Sequence, residues 1–136
     1  MLKINNLTAH YGAAQALFGI DLKIAAGETV TLVGANGAGK STLLKCIMGL
    51  VKPSAGKILL EGQDVTGASP AKMVRSGLAL SPEGREVFPQ LSVQENLELG
   101  SLVQNHGRKE LAIRIDEIYQ RFPKLGERRT QLAGTL

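Results

Sequence analysis

Residues 34–42 combine the side chains of this chain whose types and spacing best suit a chemical role. They read Gly-Ala-Asn-Gly-Ala-Gly-Lys-Ser-Thr, which matches the phosphate-binding pattern G-x-x-x-x-G-K-[ST]. Glycine lets the backbone bend around a polyphosphate, so that successive N–H groups can point at it. Lys40 can reach the β- and γ-phosphates as a point charge, and the Ser41 hydroxyl is placed to ligate Mg²⁺. The pattern therefore predicts a purine triphosphate with Mg²⁺ as the ligand.

The neighbouring sequence supports this interpretation of the loop. The apolar run of residues 29–33 predicts a strand before it, and residues 43–48 predict a helix after it. The positive N-terminal end of that helix would add to phosphate binding. The alternative is a glycine-rich turn that binds nothing, but it does not explain why the strand, loop and helix signals agree. We assign nucleotide binding to Gly34, Asn36, Gly37, Ala38, Gly39, Lys40, Ser41 and Thr42.

The composition is that of a globular chain. Its 136 residues are 43% hydrophobic and 21% charged, which favours one domain with a real core over a disordered segment. The lone cysteine, Cys46, excludes an internal disulfide and is expected to be a small buried hydrophobe. No secretion signal follows Met1 and no apolar run is long enough to cross a bilayer. The sequence therefore predicts a reducing, cytoplasmic setting.

The chain carries a modest excess of positive charge. Lys and Arg number 16 against 12 Asp and Glu, for a formal net charge of +4 and a pI near 9.4. Such a charge suits nucleic acid or an anionic membrane, but the densest basic stretch, residues 124–129, also contains Glu127. With no Trp, two Tyr and three Phe to stack on bases, we expect a solvated surface and no nucleic-acid partner.

Strand patterns dominate the first part of the chain. Residues 2–7 alternate loosely, and residues 16–24 place apolar side chains largely at every second position, which predicts an antiparallel β portion. Residues 57–60 and 78–81 are short apolar runs between turn residues, and the second is typical of a buried parallel strand. Because strand and helix patterns alternate here, the sequence favours an α/β fold.

Helix patterns dominate the later part. Gly49 is placed to cap the helix after the phosphate loop, and Ser-Pro before residues 70–75 predicts a short helix there. Residues 92–102 begin with capping-box spacing, and residues 108–122 predict another helix that Pro123 ends. The apolar stripe of this last helix is predicted to contain Leu111, Ile115, Ile118, Tyr119 and Phe122. The residues after Leu91 therefore predict a separate helical subregion.

Several motifs occur in a characteristic order. Before the phosphate loop stand Tyr11-Gly12 and Ala-Gly-Glu at residues 26–28; after it stand Gly-Lys-Ile at 56–58, Ser-Pro-Glu-Gly-Arg at 81–85 and Phe-Pro-Gln-Leu-Ser-Val-Gln-Glu-Asn-Leu at 88–97. In this order they resemble the nucleotide-binding subunit of an ATP-binding-cassette (ABC) transporter over nearly the whole chain. Residues 81–89 are most similar to the smaller ATP-binding subunits of bacterial branched-chain amino acid importers.

The resemblance implies a fold, an activity and partners. It implies an α/β P-loop NTPase core over residues 29–90, after an antiparallel β portion over residues 1–28 and before the start of a helical subdomain over residues 91–136. The complete subunit would bind Mg-ATP and hydrolyse it to power import of branched-chain amino acids. It would lie on the cytoplasmic face of the cell membrane, against membrane-embedded permease subunits and a second ATP-binding subunit.

The resemblance also assigns roles to Tyr11 and Glu83. Tyr11 matches the family's adenine-stacking aromatic, whereas its residue type alone favours a strand-edge tyrosine that covers apolar surface. Glu83 stands where most of the family carries glutamine, which implies a sensor of the γ-phosphate and a metal contact beside Ser41. A carboxylate can only accept hydrogen bonds, and the alternative is a solvated turn that contains Glu83 and Arg85. Lys40 and Glu83 are the catalytic candidates.

The resemblance would have the family's signature motif begin at Thr135-Leu136. It implies that the metal-binding acid, the catalytic glutamate and the switch histidine are missing from these residues. Neither residues 61–64 nor Asp116-Glu117 follow an apolar strand run as the metal-binding acid should, and neither His10 nor His106 stands in a context that matches the switch histidine. Both are interpreted as surface histidines. We therefore expect residues 1–136 alone not to hydrolyse ATP. In the resembled family, further strands lie between the two core strands predicted at residues 29–33 and 78–81. Without those strands, we expect the two core strands to expose apolar surface.

Residues 83–97 are expected to dock the permease, because in the resembled family this loop and helix receive a cytoplasmic coupling helix. The apolar residues here are Val87, Phe88, Pro89 and Leu91. Arg85 and Glu86 flank them as charged rim residues, and the alternative is a buried junction with the helical subregion. Two other functions stay open at this point: a nucleotide-binding module without catalysis, and a relative of the family that acts on nucleic acid.

Overall fold

The computed structural model describes residues 1–84, 86–104 and 107–136 of the chain. It divides into two compact units, Met1–Leu80 and Ser81–Leu136. The first unit contains an antiparallel sheet and two helices, and the second is built from helices and turns. Among the described residues, no helix has both the length and the apolar character needed to cross a bilayer.

The sheet of the first unit has four strands, β1 (Leu2–Tyr11), β2 (Ala14–Ile24), β3 (Ala55–Leu60) and β4 (Gln63–Asp64), in the order β2-β1-β3-β4. All neighbouring pairs are antiparallel, and β1 pairs with β2 on one side and with β3 on the other. The predicted antiparallel portion is confirmed. It extends beyond the first strands, because the predicted strand at residues 57–60 joins the same sheet.

Two helices pack on this sheet, α1 (Lys40–Ile47) and α2 (Pro70–Arg75). The largest fully buried side chains among the described residues come from strands and helices alike: Ile4, Leu7, Ile58, Met73 and Cys46. Burying these apolar side chains supplies the main driving force for folding. Cys46 is buried as expected, and its burial raises the pKa of the thiol, which keeps it protonated and unreactive.

The helix ends predicted in the first unit are confirmed. Gly49 adopts a φ of 73° just after α1, and its N–H donates to the Cys46 carbonyl, which is the bond expected of a C-terminal glycine. The Ser69 side chain accepts from the Lys72 N–H at the start of α2, where Pro70 takes the first helical position. These are local signals, so the sequence carries them directly.

The core strands predicted for residues 29–33 and 78–81 are wrong. A strand exists only where a neighbouring segment supplies ladder hydrogen bonds, and neither segment pairs with one in the part of the chain that the structure describes. The expected apolar exposure is present: residues 29–33 are exposed, and Val33 is 91% exposed. Leu78 and Leu80, by contrast, pack partly against the core of the first unit.

The second unit contains α3 (Val93–Ser101), α4 (Arg108–Arg121) and α5 (Pro123–Glu127). The predicted capping box of α3 is present, since the Ser92 and Glu95 side chains each bond the other's backbone N–H. Pro123 ends α4 as predicted, but it also begins the unpredicted α5. The prediction that Phe122 belongs to the apolar stripe of α4 is wrong, because this side chain is 53% exposed. Its backbone leaves helical geometry at φ −129° and ψ 74°, so the side chain no longer follows the stripe.

Candidate nucleotide-binding site

The loop of residues 34–39 leads directly into α1 and owes its shape to glycine. Gly37 and Gly39 have φ values of 85° and 89°, and Gly39 is the N-cap of α1. Residues with a Cβ rarely adopt such angles. The Ala38 N–H donates to the Ala35 carbonyl at 3.2 Å, which closes a turn inside the loop. The loop thus reaches the N-terminus of α1, the end of a helix that favours anions.

Lys40 lies across this loop. Its ammonium group donates to the carbonyl oxygens of Gly34 at 2.7 Å and Ala35 at 2.8 Å. An ammonium has three donor hydrogens, so one remains for a further acceptor such as a phosphate oxygen. The two carbonyls therefore hold a positive charge over the loop backbone, where a polyphosphate would be bound.

Gly39 also places the loop against β2. A Cβ built on Gly39 would lie 2.7 Å from the Ala16 carbonyl oxygen and 2.9 Å from the Leu17 side chain. Sequence reasoning missed Ala16 and Leu17 as supports of the loop. No spacing signal marks them, because the contact joins residues far apart along the chain and involves a backbone oxygen.

The other predicted loop residues differ in their surroundings. Ser41 is exposed, so its hydroxyl is open to a ligand, whereas Thr42 is buried at the core side of α1. Asn36 and Ala38 are exposed on the loop. Among the described residues, no three His, Cys, Asp or Glu side chains gather into a metal cluster. Ser41 nevertheless fits Mg²⁺, which is commonly bound by few protein ligands together with substrate phosphates.

Tyr11 lies in the same unit as the loop. It is the last residue of β1, pairs with Ala14 and is 49% exposed. Ala16, which contacts Gly39, stands two residues beyond Ala14 on β2, a distance of about 7 Å along a strand. The fold thus brings a half-exposed aromatic ring near the phosphate loop.

Glu83 belongs to the second unit and is exposed, beside Gly84 with its φ of 89°. Its assignment as γ-phosphate sensor and metal ligand stays a prediction. Arg85 and His106 lie outside the described residues. His10 is exposed, as expected of a surface histidine, and its Nδ1 lies 2.9 Å from the Ser54 hydroxyl.

The predicted docking segment is also in the second unit. Val87 and Phe88 are exposed, Phe88 at 60%, and Leu91 is half-buried. A pocket of about 520 Å³ lies beside Val87 and is lined by Pro82, Glu86 and Ala133 among others. The Val87 and Phe88 side chains are therefore open to a partner.

Comparison with known proteins adds family evidence to this geometry. The family model described as ABC transporter matches residues 17–135. The high-affinity branched-chain amino acid transport ATP-binding protein BraG of Pseudomonas aeruginosa is 39% identical over 136 residues, which is 100% of this chain and 58% of BraG. The ribose import ATP-binding protein RbsA of Yersinia pestis is 36% identical over 125 residues, which is 90% of this chain and 25% of RbsA.

A solved structure supports the fold. It is a dimeric ATP-binding cassette in a post-hydrolysis state bound to ADP and phosphate, with a TM-score of 0.84 at 24% identity, over 100% of this chain and 63% of that one. The predicted α/β cassette fold is confirmed, and the chain spans less than two thirds of the length of BraG and of this cassette. Because the family model matches most of the sequence, the chain belongs to the ABC transporter family.

Proposed function

We propose that this chain is part of a subunit that binds Mg-ATP at residues 34–42 and hydrolyses it to power import of branched-chain amino acids. The observation that carries the proposal is the Lys40 ammonium, which bonds the Gly34 and Ala35 carbonyls directly before the N-terminus of α1. A fixed cation, a glycine loop and a helix N-terminus together form a site for polyphosphate. The similarity to BraG supports the solute class.

Each residue of the site has a distinct task in this proposal. The loop N–H groups from Gly34 to Gly39 and the Lys40 ammonium bind the phosphates and stabilise charge on the group that is transferred. Tyr11 stacks on the adenine, since an aromatic face attracts a base without reading its edges. Thr42 contributes through its backbone N–H, because its side chain is buried.

Ser41 and Glu83 are the proposed metal ligands. The Ser41 hydroxyl is exposed at the start of α1 and can contact Mg²⁺ directly. Glu83 would reach the metal or its bound water as an acceptor, and its negative charge would oppose the triphosphate if no metal were bound. When bound, Mg²⁺ neutralises charge on the β- and γ-phosphate oxygens.

The proposed partners are membrane-embedded permease subunits and a second ATP-binding subunit, and no nucleic acid is expected. The subunit would lie on the cytoplasmic face of the membrane, with residues 83–97 against the permease. The exposed Val87 and Phe88 side chains support this docking surface. The dimeric cassette of the same fold supports a paired arrangement of ATP-binding subunits.

Solute uptake tests the proposal most directly. The complete subunit, reconstituted with its permease and the second ATP-binding subunit in vesicles that contain Mg-ATP, should drive uptake of labelled leucine. The Lys40→Ala variant should lose this uptake, and labelled ribose serves as the comparison because RbsA is also similar. Uptake of ribose without leucine would overturn the solute assignment, and leucine uptake by the Lys40→Ala variant would overturn the assigned ATP site.

A further inference from the structure

We infer that Asn96 is a positioning residue for permease docking, because its side chain holds the backbone of Phe88 so that the Phe88 ring is presented to the partner. The inference rests on the proposed function, since it concerns the same docking surface. Asn96 lies in the first turn of α3, and Phe88 lies in the loop before that helix. Both belong to the second unit.

The Asn96 amide bonds both backbone groups of Phe88. Its Oδ1 accepts from the Phe88 N–H at 2.9 Å, and its Nδ2 donates to the Phe88 carbonyl at 3.1 Å. A carboxamide provides an acceptor and a donor side by side, so it pairs with Phe88 as a neighbouring strand would. This arrangement restricts both the position and the orientation of the Phe88 peptide groups.

The same Asn96 nitrogen also lies within hydrogen-bond distance of the Leu91 and Ser92 carbonyls, at 3.3 and 2.9 Å. The Leu91 N–H donates to the Phe88 carbonyl at 3.1 Å, which closes the turn that contains Pro89. Asn96 therefore ties together both ends of this turn. Removing its side chain would therefore remove side-chain hydrogen bonds from Phe88 and Leu91 at once.

A second strip of chain supports the turn from its other side. The Gly134 N–H donates to the Pro89 carbonyl at 3.1 Å, and the Ala133 N–H donates to the Leu91 carbonyl at 2.8 Å. A Cβ on Gly134 would lie 2.7 Å from that of Pro89, so the approach is as close as glycine allows. The backbone of the turn is thus bonded on both sides.

Despite this fixed backbone, the Phe88 side chain is 60% exposed. A large aromatic ring held in solvent on a rigid turn has a low entropic cost of ordering when a partner covers it. Aromatic anchors of this kind dominate binding energy at many interfaces. The Asn96 amide therefore prepares Phe88 for binding, although Asn96 itself need not touch the permease.

A double-mutant cycle in the complete subunit tests this inference. Permease binding is measured with wild type, Asn96→Ala, Phe88→Ala and the double variant, on permease reconstituted in nanodiscs. Asn96→Ala should weaken binding about tenfold, a typical effect for loss of a well-placed interface group. In the Phe88→Ala background, the same change should weaken binding less than about twofold, because residues that act through one another are not additive.

Control variants separate positioning from folding. Ser101→Ala lies on the same helix, outside residues 83–97, and loses a side-chain hydrogen bond from its hydroxyl to the Glu98 carbonyl at 2.6 Å. It should leave permease binding unchanged. Asn96→Asp is nearly isosteric and keeps the acceptor for the Phe88 N–H but loses both donors. Asn96→Asp should weaken permease binding as much as Asn96→Ala and leave ATP affinity unchanged. It replaces Asn96→Ala in the cycle if Asn96→Ala does not fold.

Hydrogen exchange supplies the local readout. In the Asn96 variants the Phe88 amide should exchange faster, while the amide of the buried Ile115 on α4 should not change. Additive losses in the cycle, or wild-type binding by folded Asn96 variants, would overturn the inference alone. Wild-type binding by Phe88→Ala would overturn it together with the proposed docking surface.

Discussion

Gly39 lies directly against Ala16, so that a methyl group on Gly39 would stand 2.7 Å from the Ala16 carbonyl oxygen. This contact joins the phosphate loop to the edge strand β2. It gives Gly39 a second function besides its φ of 89°. The loop thus owes its place to packing on the sheet as well as to its own backbone conformation.

Alanine at Gly39 should therefore be more harmful than alanine at Gly37. Both glycines have a φ typical of the left-handed region, which costs about 1–2 kcal/mol for other residues. Only Gly39 also meets β2, whereas a Cβ on Gly37 has no atom within 4 Å. Urea denaturation should show a larger loss of stability for Gly39→Ala. Equal losses of stability in the two variants would mean that β2 moves to accommodate the added methyl group.

Replacing Lys40 by alanine should weaken Mg-ATP binding at least tenfold, or about 1.4 kcal/mol, because a charge-assisted phosphate contact is lost. Lys45→Ala is the matched control, since Lys45 is an exposed lysine on the same helix. Titration calorimetry measures both variants. Wild-type affinity in Lys40→Ala would contradict the assignment of the phosphate loop.

The local parts of this structure could be predicted from the sequence. The Gly37, Gly39 and Lys40 positions belong to a short pattern, and the capping box of Ser92 and Glu95 spans a single helical turn. Such signals carry their own geometry, because the atoms that bond are close along the chain. The antiparallel strands of residues 2–7 and 16–24 could likewise be predicted from the alternation of apolar residues along each segment.

The remaining parts depend on distant partners. Residues 29–33 have the apolar composition of a strand, yet composition cannot supply the neighbour whose hydrogen bonds define one. The contact between Gly39 and Ala16 depends on how β2 meets the loop, and alanine carries no chemical signal. The Asn96 amide likewise bonds Phe88 eight residues away, so an asparagine near a helix start gives no hint of that partner.

Substituting Tyr11 by alanine should weaken ATP binding by about 1–3 kcal/mol, the range for one base stacked on an aromatic ring. Inorganic triphosphate has no base, so its affinity should hardly change. Tyr119→Phe is the control, because Tyr119 lies in the second unit and the substitution removes only its hydroxyl. It should leave the affinity for both ligands unchanged. An equal loss for both ligands in Tyr11→Ala would indicate that Tyr11 supports the fold without contacting adenine.

The capping box should make the stability of the second unit depend on pH. Hydrogen bonds from the Ser92 backbone N–H and then from its hydroxyl lower the pKa of the Glu95 carboxyl below its ordinary value of 4.5. When folding lowers the pKa of a carboxyl, its contribution to stability is fully present at a pH above the pKa of the unfolded state. That contribution is lost as the pH falls through the pKa of the folded state. Glu95 should thus stabilise the start of α3 at neutral pH and lose that effect in acid.

Glu95→Gln tests this dependence, because glutamine can still accept from Ser92 but carries no charge. Thermal unfolding should show wild type more stable than Glu95→Gln at about pH 7, with the difference shrinking as the pH falls toward about 3.5, below the ordinary pKa of Glu. Glu98→Gln on the same helix serves as the control, since Glu98 bonds Gln94 and not the helix N-terminus. A difference between wild type and Glu95→Gln that stays constant over this range would show that the Glu95 charge does not stabilise the cap.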